Sequence, residues 1–82
     1  MRLMKHYHLT AVIWKEDKQY VSKCPELGVA SFGPTPEKAQ AALGEAVELF
    51  LSNAKRLGIL KDMEPAMASG TRYTTPLEVA AA

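Results

Sequence analysis

Cysteine is nearly absent from this chain: Cys24 stands alone among 82 residues. A single thiol excludes an intramolecular disulfide framework, and without a second cysteine nearby it excludes a structural zinc site built on cysteine pairs. Both absences suit a reducing cytoplasm, the location expected here. Aromatic residues are also few, 7% of the chain, with one tryptophan, Trp14. No uncharged apolar run of membrane-spanning length occurs, and the charges from Lys15 to Lys18 close the apolar stretch that follows the basic residues Arg2 and Lys5. Neither a membrane span nor a secretory leader is expected. An excess of one sign of charge is missing too. Ten Lys and Arg face nine Asp and Glu, a formal net charge of +1, which offers no basic surplus for nucleic acid.

What is present is 48% hydrophobic residues in 82, enough for one domain with a thin core. From Tyr7 to Trp14 the chain is β-branched and aromatic, with Tyr7, Leu9, Ala11 and Ile13 at alternate positions as in a half-buried strand. The polar run Lys15-Glu16-Asp17-Lys18 predicts a hairpin turn, Gln19 to Cys24 a second strand, Pro25-Glu26-Leu27-Gly28 another turn, and Val29 to Phe32 a short third strand. Thr35-Pro36-Glu37 then opens a helix with an N-cap oxygen, proline at the first helical position and an acid in the first turn. Ala39, Leu43, Ala46, Val47, Phe50, Ala54 and Leu57 form its apolar stripe, Lys55 and Arg56 suit its last turn, and Gly58 is the expected C-terminal cap. Gly44 either permits close approach to the sheet or is a tolerated weakness. Beyond Gly58, Ile59, Leu60 and Met63 suggest one more helical turn ended by Pro65, then a loop from Ala66 to Gly70, and a last strand near 71–80 that tolerates Pro76 at a sheet edge. The expected architecture is α+β in two layers, a single domain over 1–82 with its core at about 5–60, one long helix covering one sheet face.

The order of these pieces resembles the HicB-like antitoxin family. The resemblance rests on Leu9 to Trp14, on Tyr20-Val-Ser-Lys-Cys-Pro-Glu-Leu27, on Gly28-Val-Ala-Ser-Phe-Gly33, on Thr35, and on a helix carrying Glu45-Ala-Val-Glu-Leu49. It implies a truncated ribonuclease-H-like fold, β-β-β-α-β, and a non-enzymatic protein that binds a small HicA-type RNA-cleaving toxin and blocks it by steric occlusion. Many members add a C-terminal operator-binding module. The residues after Gly58 are too few for a helix-turn-helix or ribbon-helix-helix, so direct DNA binding is not expected. An orphan homo-oligomer without a toxin is the alternative, and a cryptic metal-dependent nuclease a weaker one.

No catalytic, cofactor or metal site is expected. Two-metal phosphodiester chemistry needs converging carboxylates, whereas Asp17 and Glu26 fall in different turns, Glu45 and Glu48 on the helix, and the inward positions Leu9, Ala11 and Ile13 carry no acid. His6 and His8 share a strand face without a third ligand, and solvated histidines are the better account. Cys24, followed by proline on an apolar strand, reads as a small core residue, with no base in sight to lower its pKa. Ser31 has no triad partners, and the prolines of Gly33-Pro34-Thr35-Pro36 remove the amides a phosphate would use.

The informative residues lie on the other sheet face. If Leu9, Ala11 and Ile13 face the helix, alternation sends His8, Thr10, Val12 and Trp14 outward, and Val21, Ala30 and Phe32 with them. Val12, Trp14, Val21 and Phe32 are therefore the candidate interface for self-association or for a toxin. Such a face would expose several hundred Å² of apolar surface. The expected cover is a protein, a second copy or a toxin, in preference to the chain's own Met63, Met67, Leu77 and Val79.

Overall fold

In the computed structural model, which describes residues 6–68, 70 and 72–81, the alternation that begins at Tyr7 becomes a paired strand only from Val12. Arg2, Lys5 and Thr71, the first residue of the expected last strand, lie outside the described residues. The strands are β1 (Val12–Glu16), β2 (Gln19–Cys24) and β3 (Val29–Gly33), and the helices are α1 (Pro36–Leu57) and α2 (Leu60–Ala68). The sheet is antiparallel in the order β1-β2-β3. The described residues thus form a small α+β domain of three antiparallel strands and two helices, one of them long. No helix among the described residues is long and apolar enough to cross a membrane.

Strand β1 starts late because its partner runs out. Continued past Val12↔Lys23, the β1–β2 register would set Ala11 against Cys24 and Thr10 against Pro25, which has no backbone donor. The first hairpin is tighter than the four-residue turn expected: Glu16 pairs with Gln19, so Asp17 and Lys18 alone make the turn. Asp17 takes φ 55°, the left-handed conformation that a two-residue hairpin needs and that aspartate tolerates better than most residues.

Helix α1 is capped as its sequence predicts. Thr35 Oγ1 accepts from Lys38 N at 3.1 Å. At the other end Gly58, at φ 76°, donates back to the last turn. The helix seats on β2 and β3 where the strand residues are smallest. Buried Ser22 donates through Oγ to the Ala39 carbonyl at 2.8 Å, and a Cβ placed on Gly33 would lie 2.7 Å from Ala39 N and 2.9 Å from the Lys38 carbonyl carbon. The close approach therefore belongs to Gly33. Gly44 meets nothing within 4 Å and is a tolerated weakness in an exposed part of the helix.

Ala39, Leu43 and Ala54 of the apolar stripe are buried and Ala46, Val47 and Phe50 half-buried, but Leu57 is exposed. Twenty-two helical residues reach about 33 Å, whereas strands of five or six residues span about 17–20 Å, so the end of α1 overshoots the sheet. Leu9 and Ala11 border a groove shared with Leu43 and Val47 on the helix side, as expected, although Ala11 remains exposed.

Two expectations for the C-terminal third are corrected. Pro65 does not end the second helix, which continues to Ala68. Buried Met67 anchors that last turn, and Arg72 Nη2 donates to its carbonyl at 2.7 Å, satisfying one of the carbonyls that the helix end leaves without a partner. The last strand near 71–80 is not formed among the described residues: 72–81 carry no strand, and Leu77 and Val79 are exposed. With Pro76 in its middle and no pairing to an edge of the sheet, this segment gains no ladder.

The close contact at Gly33 and the open space around Gly44 set opposite expectations for the two glycines. Gly33→Ala forces a methyl group into helix backbone and is expected to cost about 2 kcal/mol or more in urea denaturation. Gly44→Ala is expected to stabilise by about 0.5–1 kcal/mol in the same measurement.

Candidate functional site

The register that seats α1 also composes the opposite face. Ile13, Ser22 and Ser31 form one cross-strand row, and Ser22 faces the helix. The neighbouring rows, Trp14–Val21–Phe32 and Val12–Lys23–Ala30, consequently point away from it. All four candidate interface residues, Val12, Trp14, Val21 and Phe32, thus share one face, with Lys23 and Ala30 beside them. Trp14 is 39% and Phe32 64% exposed. Trp14 Nε1 donates to Glu16 Oε1 at 3.0 Å, which holds the indole along β1 and satisfies its polar atom.

The described part of the chain does not cover this face. Helix α2 packs on α1 and makes no approach to the strands. Met67 is buried, while Leu77 and Val79, the chain's own candidates for covering the sheet, are 85% and 72% exposed.

A second constellation, legible in the sequence only as a turn residue, is centred on Glu26. Thr10, expected on the outer face, instead gives both its donors to this carboxylate: N to Oε1 at 3.0 Å and Oγ1 to Oε2 at 2.6 Å. The side chain thus supplies acceptors to a segment that has no strand pairing of its own. Arg72 Nε lies 3.1 Å from Oε2 as an ion pair, and the Glu26 side chain is 7% exposed. Arg72 Nη1 also donates to the His8 carbonyl at 2.6 Å. One guanidinium therefore ties the N-terminal segment, the β2–β3 turn and the end of α2. Nothing in the local pattern around Arg72 marks it for this role.

Burial opposes ionisation of Glu26, but the hydroxyl and amide of Thr10, backbone donors and the Cys24 thiol outweigh it and hold its pKa at about 2, below the ordinary 4.5. The Cys24 thiol moves the other way. Burial, and then its contact with the Glu26 carboxylate at 3.4 Å, push its pKa up, so it stays protonated and donates to Oε1. That is the opposite of what an attacking thiolate needs.

The remaining titratable residues are dispersed. Asp17 sits in the first hairpin, remote along β2 from Glu26, and Glu45 and Glu48 are exposed on α1. His6 and His8 border an open pocket of about 400 Å³ with Glu64, Met67 and Arg72. Among the described residues no three or more His, Cys, Asp or Glu side chains are grouped to hold a metal ion. The protein belongs in structural terms to the small two-layer α+β domains. No family model, curated protein or solved structure matches the chain.

Because the folded-state pKa of Glu26 lies below its ordinary value, its contribution is fully present above about pH 4.5 and is lost as pH falls towards 2. The stability difference between the wild type and Glu26→Gln is expected to be constant from pH 7 to about 5 and to shrink between 4.5 and 2. Urea denaturation across that range measures it, and a pH-independent gap would remove the carboxylate from this role.

Proposed function

We propose that the chain is a non-enzymatic protein-binding domain of HicB-type antitoxin character, whose outer sheet face docks a partner. The observation that carries this is the Trp14–Val21–Phe32 row, exposed on the face opposite α1. Covering a tryptophan and a phenylalanine removes apolar surface from water at about 25 cal/mol per Å², and aromatic residues of this kind dominate protein interfaces. The strand-strand-strand-helix order, the Cys24–Gly28 turn and the Thr35 cap support the truncated ribonuclease-H-like arrangement implied by the family resemblance. The partner proposed is a small HicA-type RNA-cleaving toxin, inhibited by occlusion of its catalytic residues. The protonated Cys24 and the fully engaged Glu26 favour binding over catalysis, because neither is available to a substrate.

Trp14→Glu tests the proposal. Co-expressed with a small HicA-type RNA-cleaving toxin, the wild type is expected to co-purify with it and to protect RNA. The variant is expected to lose both while its Tm stays within about 4 °C, a shift equivalent to less than 1 kcal/mol for a domain of this size. Outright unfolding of the variant would make Trp14 a core residue. RNA cleavage by the purified wild type in Mg²⁺ or Mn²⁺, lost on changing Glu26 or Asp17, would establish a nuclease instead.

A further inference from the structure

Resting on the assignment of the outer sheet face as an interaction surface, we infer that in the absence of another partner this face is occupied by a second copy of the chain. The two sheets would stack about a two-fold axis that runs across the strands along the Trp14–Val21–Phe32 row. The axis follows from the charges that flank that row. On β2 the outer face reads Gln19, Val21, Lys23, and the β1–β2 register places Glu16 beside Gln19. Glu16 shares the outer face, since its carboxylate accepts from Trp14 Nε1.

Two in-plane two-fold axes can bring such faces together. An axis along β2 would set Lys23 of one copy over Lys23 of the other, a like-charge contact within the interface. An axis across the strands exchanges the two ends of β2 about Val21. Lys23 of one copy then lies over Gln19 of the other, next to Glu16, whose Oε2 is left for it by the indole bond to Oε1. Val12 falls over the stem of Glu16, and Trp14, Val21 and Phe32 each meet their own symmetry mates. Facing sheets pack about 10 Å apart, within reach of a lysine and a glutamate on opposite sheets. The contact is isologous, so each favourable charge pair occurs twice.

Area sets the strength. Three strands about 4.8 Å apart and three rows about 7 Å apart make a flat patch of roughly 300 Å², well short of the about 800 Å² per partner of a standard stable interface. The pair is therefore weak and reversible, and a partner that uses the same aromatic row must displace the second copy. Self-association and partner binding exclude each other.

Sedimentation velocity of the full chain over a concentration series is expected to show a monomer–dimer equilibrium with Kd of about 1–100 μM. Lys23→Glu and Glu16→Lys are each expected to weaken it about tenfold, and the double reversal to recover most of that loss. A wild type that stays monomeric at millimolar concentration overturns the pairing, as do single reversals without effect or a double reversal that fails to recover. The face and its occupant fail separately: if the wild type is monomeric but Trp14→Glu still loses the co-expressed partner, the second copy is excluded and the face stands. If Trp14→Glu alters neither assembly, both fall.

Discussion

The seat of α1 on β2 and β3 is the constraint from which the rest of the architecture follows. Gly33 carries no side chain, Ser22 spends its hydroxyl on the Ala39 carbonyl, and Ala39 contributes a methyl group, so helix and strand backbones meet almost directly. Contact this close leaves no room for a side chain at position 33 or for a large one at position 22. The buried side chains among the described residues are accordingly few: Ser22, Cys24, Ala39, Leu43, Ala54 and Met67. Trp14 and Phe32 sit on the other face because the register that brings Ser22 beneath the helix turns them outward. An uncovered aromatic row is thus the geometric counterpart of a tightly seated helix. A domain this small buries a modest fraction of its surface on folding, and an apolar face of this kind is where a partner contributes most.

The sheet alone would not position its N-terminal approach. Where Pro25 and the following turn deprive residues 10 and 11 of a ladder, Glu26 takes over as acceptor for both donors of Thr10. Arg72 reaches the same carboxylate from beyond α2 and binds the His8 and Met67 carbonyls. A charge that is 7% exposed is tolerated because every oxygen has a donor or a counter-charge close by. The Cys24 thiol is drawn into the same cluster, and its raised pKa follows from burial beside an anion. The Glu26 cluster lies at the β2–β3 turn, apart from the apolar row on the outer sheet face.

Much of the fold was legible because the signals that specify it are local. The Thr35 cap, the prolines that precede and open α1, the Gly58 stop and the Pro25–Gly28 turn each act within four or five residues, and alternation assigned Val12, Trp14, Val21 and Phe32 to one face before any contact was known. The same local rules misplaced the end of α2. Pro65 is a helix breaker by its own chemistry, and the burial of Met67 and the guanidinium on its carbonyl overrode it. The alternation of Leu9 and Ala11 extended strand one on paper, but pairing depends on the partner strand, which stops at Cys24. Leu57 kept helical spacing past the point where any sheet remained beneath it.

The sequence by itself determined the order of the three strands and the long helix, the ends of that helix, and which residues of those strands share a face, because each depends on backbone preferences and spacing along a short stretch of chain. The tertiary structure alone decided how closely the helix approaches, which glycine that approach requires, and that Glu26, Thr10 and Arg72 meet. Those partners lie 16 residues apart for Thr10 and Glu26, and Arg72 reaches His8 across 64. Contacts of that span are set by the packing of whole elements, and no local preference announces them.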